Sequence, residues 1–212
     1  MLAGVDEAGR GPVLGPLVVA AVLIESDKPL RKLGVKDSKQ LSPKRREEMA
    51  PQIRELCRAT ALRVVHAEEL NARMPGENLN EIEVDAFAEL LRHLAPHTAV
   101  LDACDVNAER FGQRVGARLA APCVIRSEHE ADARHPVVAA ASILAKVERD
   151  RIVAELAAQH GALGSGYSHD VATTTWLKDY VARHNALPAF ARREWETARR
   201  LLKKDRTLLE FG

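Results

Sequence analysis

The sequence is poor in cysteine and has no long apolar run, and each shortage excludes a class of protein. Its three cysteines, Cys57, Cys104 and Cys123, form an odd, widely spaced set without a Cys-x-x-Cys pair. That excludes a disulfide framework and a zinc knuckle, and the three read as small buried hydrophobes. The longest apolar stretch, Val13 to Ile24, has 12 residues and includes Gly15 and Pro16, whereas a membrane-spanning helix needs about 20. It is a core-strand candidate, and no membrane association is expected. Met1 leads into the hydrophobic pattern without a basic n-region or a cleavage site, so nothing resembles a signal peptide and a cytoplasmic protein is expected.

With 46% hydrophobic and 29% charged residues over 212 positions, the chain has the composition of a globular protein able to bury about 70% of its unfolded surface. The net charge of +1 conceals an uneven distribution. Lys28 to Arg63 holds 11 Lys/Arg against 4 Asp/Glu, and Arg183 to Arg206 holds 8 against 3. Between them, Glu68 to Arg110 has 10 acids against 3 bases. Basic residues grouped in this way suit a phosphate backbone better than a small metabolite.

Strand and helix patterns interleave. Leu2 to Glu7 reads as a strand with Leu2, Gly4 and Asp6 on one face and Ala3, Val5 and Glu7 on the other. Pro16 to Ile24 reads as a strand buried on both faces, with a Gly9-Arg10-Gly11-Pro12 turn between the two. Ser42 and Pro43 start a helix whose stripe is Met49, Ile53, Leu56 and Cys57, with a kink or break expected at Pro51. Further strands are expected at Thr60 to His66, Thr98 to Asp102 and Pro122 to Arg126. Helices are expected from Asn80, with Glu83 completing a capping box, at Asn107 to Leu119, and over the long Pro136 to His160 pattern. The small run Ala139-Ala140-Ala141-Ser142 would let that last helix approach a sheet closely. Two shorter helices follow, at Val171 to His184 and Ala189 to Lys203, with Trp176 and Trp195 as core residues. The expected class is α/β with a mixed sheet, a main domain over 1-170 and a helical C-terminal appendage over 171-212.

Acids recur at strand ends: Asp6 and Glu7 after the first strand, Asp102 after a central one, and Asp132 just beyond the strand ending near Arg126. In an open α/β sheet such positions gather at one edge. Clustered carboxylates repel one another unless cations neutralise them, and hard oxygen ligands select Mg²⁺ or Mn²⁺. A two-metal phosphoryl-transfer centre is the resulting hypothesis.

Four ordered blocks together resemble ribonuclease HII, the type 2 ribonuclease H family. They are Gly4-Val5-Asp6-Glu7-Ala8-Gly9-Arg10-Gly11-Pro12, Lys36-Asp37-Ser38-Lys39-Gln40-Leu41-Ser42, Glu130-Ala131-Asp132 leading into Pro136 to Val147, and Gly164-Ser165-Gly166-Tyr167. The resemblance implies a ribonuclease H-like fold, a central mixed β-sheet flanked by helices. It also implies cleavage of the RNA strand of RNA/DNA hybrids and incision 5′ of single ribonucleotides in duplex DNA, leaving 3′-hydroxyl and 5′-phosphate ends. Two divalent ions, Mg²⁺ or Mn²⁺, would be held by Asp6, Glu7, Asp102 and Asp132. Asp105 is the alternative to Asp102, which is preferred because Ala99-Val100-Leu101 leads into it. Glu7 would have to reach the metal differently from Asp6, or the strand would have to bend.

The resemblance also implies substrate contacts at Gly9, Arg10 and Gly11 through the backbone, at Lys36 and Lys39 on phosphates, and at Ser142 and Lys146 on one helix face. Tyr167 would pack on the sugar after the ribonucleotide. The chain departs from the usual Pro-Ser-Asp continuation with Ser168-His169-Asp170, and His169 is expected to face solvent. A monomer is expected. The terminal Leu208-Leu209-Glu210-Phe211-Gly212 reads first as a packing segment and second as a docking tail for a sliding clamp. A silent nucleic-acid-binding domain would have no use for four clustered acids, and another two-metal nuclease, such as a resolvase core, would not need the Gly-Arg-Gly turn with Tyr167.

Overall fold

The computed structural model describes the backbone of residues 1–36 and 38–209 and the side chains of 1–36 and 38–202. Two compact units are built from interleaved segments. The first comprises Met1–Ala8, Val18–Val64 and Leu79–Glu148, and the second Gly9–Leu17, Val65–Asn78 and Arg149–Gly212.

The first unit is organised on a five-stranded sheet. Its strands are β1 (Leu2–Ala8), β2 (Leu17–Ile24), β3 (Ala59–Val65), β4 (Thr98–Asp102) and β5 (Val124–Glu128), in the order β3-β2-β1-β4-β5. β1 pairs antiparallel with β2 and parallel with β4, so the sheet is mixed. Every residue of β2 is buried, as its unbroken apolar run predicts.

The helices, in chain order, are α1 (Lys28–Leu33), α2 (Pro43–Leu56), α3 (Ala67–Arg73), α4 (Leu79–Leu94), α5 (Ala108–Gly116), α6 (Ala131–Arg134), α7 (Pro136–His160), α8 (Val171–His184) and α9 (Glu196–Leu209). Among the described residues, no helix is long and apolar enough to cross a membrane. The first turns of α7 lie against β1. A Cβ at Gly4 would sit 2.3 Å from the Val137 carbonyl oxygen, so only glycine permits this approach. Ala139, Ala140 and Ala141 are buried, as expected of small residues at a close contact. On α4 and α5, Phe87 and Phe111 meet edge to face with ring centres 5.1 Å apart.

Several local expectations need correction. α2 runs through Pro51 without a break. Pro51 is exposed, and the Glu48 carbonyl accepts from Gln52 Nε2 at 2.8 Å. Leu56 is exposed rather than part of the buried stripe. α4 begins at Leu79, ahead of the expected cap, and Glu83 is fully buried instead of closing a capping box.

The second unit has a core of Val13, Leu14, Leu163, Leu177, Phe190, Ala191 and Ala198, with Trp176 and Trp195 partly buried against it. Ala189 to Trp195 is not helical, because Ala191 forms an antiparallel bridge with Leu14 and the Arg192 amide donates to the Val13 carbonyl at 2.9 Å. These long-range bonds override the local helical pattern, and α9 starts only at Glu196.

Candidate active site

The period-two geometry of β1 sorts its residues onto two faces. Asp6 shares the face of Gly4, where α7 packs, and is 3% exposed. Its carboxylate accepts from the Glu7 amide at 2.7 Å and is hydrogen-bonded by Ser142 of α7. Ser142 is itself buried, and its hydroxyl is hydrogen-bonded with Ser38 Oγ at 2.9 Å. Ser38 opens the short 3-10 turn Ser38–Gln40, whose Ser38 carbonyl accepts from buried Arg46 of α2 at 3.0 Å.

Asp102 ends β4 and Asp132 lies in α6. Glu130, with φ of 53° in the left-handed region, turns the chain into α6, and the Ala131 amide donates to Asp102 Oδ1 at 2.8 Å. The result is a trio: Asp6, Asp102 and Asp132 each offer a carboxylate oxygen within 4.8 Å of the others. Asp105 stands apart, sealed in an ion pair with Arg110 at 2.5 Å and accepting from the Asn107 amide at 3.1 Å. Those bonds hold its carboxyl below the usual range.

Electrostatics follow from this crowding. Burial pushes the Asp6 carboxyl well above its ordinary value, and the charges of Glu7 and Asp102 add to the effect. Asp102 is pushed up to about 6, chiefly by burial and then by Glu7 and Asp132, while the Ala131 amide and Lys39 act in the opposite sense. A divalent cation relieves both causes, because it neutralises like charges and replaces lost hydration with an all-oxygen donor set. The residues therefore fit a hard cation.

Strand alternation starts Glu7 toward the other face of β1, yet its carboxyl is hydrogen-bonded with that of Asp6. Cys104 Sγ donates to its Oε2 at 3.4 Å, and ligand atoms of Glu7, Glu83 and Cys104 all lie within 4.8 Å of one another. Its charge also acts on Asp6 and Asp102. Glu83 and Cys104 are neighbours that sequence reasoning missed. Glu83 sits four residues before Phe87 on the apolar stripe of α4, and a carboxylate at that phase is the available signal. Of the cysteines, Cys57 is buried while Cys104 and Cys123 are half-buried. Lys39 is exposed on the Ser38–Gln40 turn, Lys36 is exposed ahead of it, and Lys146 is half-buried one helical turn beyond Ser142.

The second unit holds the remaining predicted residues. Gly9 has φ of +92°, and a Cβ there would lie 2.5 Å from the Arg149 side chain. Arg10 is half-buried and Gly11 exposed, and a Cβ on Gly11 would contact the Tyr167 ring at 3.6 Å. Arg149 spans Tyr167 with its guanidinium 5.3 Å from the ring centre. His169 is exposed, its ring 5.2 Å from that of Tyr167. Asp170 keeps the loop in place despite the changed residues before it: it caps α8 and accepts from the Ser165 amide at 2.6 Å. The Leu208 to Gly212 reading lies outside the residues whose side chains are described.

A mixed sheet of this order, with Asp6 and Asp102 on neighbouring strands and Asp132 of α6 beside them, is the arrangement of a ribonuclease H-type nuclease. The profile of the family described as Ribonuclease HII matches residues 3–198. Ribonuclease HII of Pyrococcus abyssi is 43% identical over 207 residues, covering 96% of this chain and 92% of that protein. The crystal structure of ribonuclease H2 from Pyrococcus horikoshii OT3 superposes with a TM-score of 0.91 at 39% identity, covering 97% of this chain and 98% of that one. Ribonuclease HII in a PCNA complex from Archaeoglobus fulgidus gives a TM-score of 0.86 at 45% identity, covering 92% and 95%. The chain belongs to the ribonuclease HII family. It is a hydrolase with the ribonuclease H fold, an endonuclease acting on the RNA strand of RNA/DNA hybrids, in a family that depends on divalent metal.

Proposed function

We propose that this chain also incises duplex DNA 5′ of a single embedded ribonucleotide, leaving 3′-hydroxyl and 5′-phosphate ends. The observation that carries the reading is the trio of Asp6, Asp102 and Asp132, two of them nearly inaccessible to water and all within mutual ligand distance. Asp6, Asp102 and Asp132 would hold divalent ions, Mg²⁺ or Mn²⁺ and two in number, with Glu7 contributing from beside Asp6. When bound, such ions supply water activation and neutralisation of charge on the leaving oxygen.

The chain's own residues do the rest. Ser142 holds Asp6 in place through its hydrogen bond, and Arg46 fixes the turn that carries Lys39. Lys36, Lys39 and Lys146 supply positive charge for phosphates. Gly9, Arg10 and Gly11 offer backbone groups to the ribose 2′-hydroxyl, the atom that separates RNA from DNA. Tyr167, backed by Arg149, packs on the following sugar.

The protein acts in this reading as a cytoplasmic monomer. The Archaeoglobus fulgidus relative in complex with PCNA supports recruitment by a sliding clamp, with the Leu208 to Gly212 tail as docking segment. The test is a labelled duplex with one ribonucleotide, incubated with Mg²⁺, with Mn²⁺ and with chelator. We expect one incision 5′ of the ribonucleotide with either metal and none with chelator. Cutting of RNA/DNA hybrid with no cutting of this duplex would restrict the activity to hybrids.

A further inference from the structure

The second unit contains a fully buried cation that the activity so far described does not use. Arg192 is 0% exposed, and burial lowers its pKa to about 9, helped by the charge of Arg149. Its bonds go to backbone carbonyls rather than to a carboxylate. Nε donates to the Gly15 carbonyl at 2.9 Å and Nη1 to the Arg10 carbonyl at 3.1 Å. Trp195, whose ring lies 4.8 Å below the guanidinium, donates its indole N–H to the Gly11 carbonyl at 3.1 Å. Among the described residues, Arg192 Nη2 has no hydrogen-bond partner. A buried guanidinium with so little compensation is a poor stabiliser, so its value lies in what it orients.

We propose that Arg192 is a positioning residue that aims the Gly11 amide, with Trp195 as its assistant. The inference rests on the reading of Gly9-Arg10-Gly11 as the ribonucleotide contact. No peptide bond among the described residues is cis. In a trans peptide the carbonyl of one residue and the amide of the next point in opposite directions. Drawing the Arg10 carbonyl onto buried Arg192 therefore turns the Gly11 N–H away from the interior, on a residue that is exposed. The next residue is Pro12, which has no N–H. Pinning the Gly11 carbonyl to Trp195 thus fixes that peptide plane without presenting a competing donor. A single outward amide is a donor that a 2′-hydroxyl oxygen accepts from and that deoxyribose cannot answer.

The test compares two duplexes that differ by one 2′-hydroxyl, by fluorescence anisotropy, in full-length protein carrying Asp6→Asn so that binding is read without cleavage. We expect this parent to prefer the ribonucleotide duplex. Arg192→Lys, which keeps the charge but loses the planar fork, and Trp195→Phe, which keeps the ring but loses the donor, should each reduce that preference about three- to tenfold. All-DNA affinity should not change. Trp195→Phe decides the matter if Arg192→Lys does not fold. Equal weakening of both duplexes, or a lowered melting temperature with the preference intact, would make the role purely structural and overturn the proposal. Absence of any preference in the parent would instead remove the ribonucleotide-contact reading, and the positioning role with it.

Discussion

Asp6 and Glu7 are adjacent in β1, and their carboxyls are hydrogen-bonded to each other, while Ser142 also bonds Asp6 and Cys104 also bonds Glu7. Adjacent acids in a strand thus share one site, Asp6 buried and Glu7 half-buried. Asp6→Asn and Asp132→Asn should each lower kcat by at least about a hundredfold, the scale of losing one electrostatic stabiliser. Hybrid affinity should be retained, since neither change adds bulk. Near wild-type turnover in either variant would remove that residue from the ligand set.

The separation of Asp102 from Asp105 gives a second contrast. Asp102→Asn should abolish cleavage. Asp105→Asn should keep it while lowering stability by about 1 kcal/mol, because it weakens the Arg110 pair and the bond to the Asn107 amide. Urea melts and cleavage rates on the two variants separate the outcomes, and the reverse pattern would move the ligand to Asp105.

Stability should depend on pH and metal together. The Asp102 carboxyl titrates at about 6 in the folded protein, against about 3.9 in an unfolded chain. Between those values the folded state binds more protons, so this group's contribution falls as pH rises from about 4 to about 6 and then levels off. Asp6 acts in the same direction. In chelator, the melting temperature of wild type minus that of Asp102→Asn should therefore fall across this window. Mn²⁺ should raise the wild-type melting temperature more at pH 7 than at pH 5, because protons compete for the same oxygens. A Mn²⁺ effect independent of pH would place the ion elsewhere.

Tyr167 should report the shape of the substrate rather than its charge. Tyr167→Ala should lose about 1–3 kcal/mol of transition-state binding at a single ribonucleotide, and Tyr167→Phe, which keeps the ring over Arg149, should lose little. Equal kcat/KM for the alanine variant and wild type would mean that the ring does not touch the substrate.

Much of the site was legible because simple periodicities govern it. Alternation along β1 put Asp6 with Gly4 and Glu7 with Val5, and the apolar run before Asp102 marked a strand end. What escaped depends on partners distant in sequence. The Ala189 to Trp195 segment has a helical pattern, but its bonds to Val13 and Leu14 compete successfully with helix formation. Pro51 sits inside α2 at an exposed position, where the ring meets no packed neighbour to displace. Glu83 has the spacing from Asn80 of a capping motif, whereas its phase with Phe87 decides its burial. Arg192 lies within a basic run that gives no sign that one of its cations is interior.

The Gly4 contact has a mechanical meaning. Strand and helix meet there backbone to backbone, so their separation is limited by incompressible peptide atoms and not by side chains that can change rotamer. The distance from Ser142 to Asp6 is thereby insulated from repacking elsewhere in the core. Substitutions at Val18, Ile53 or Phe87 can erode stability gradually, whereas a single methyl group at position 4 acts as a wedge under α7 and shifts the reacting groups at once.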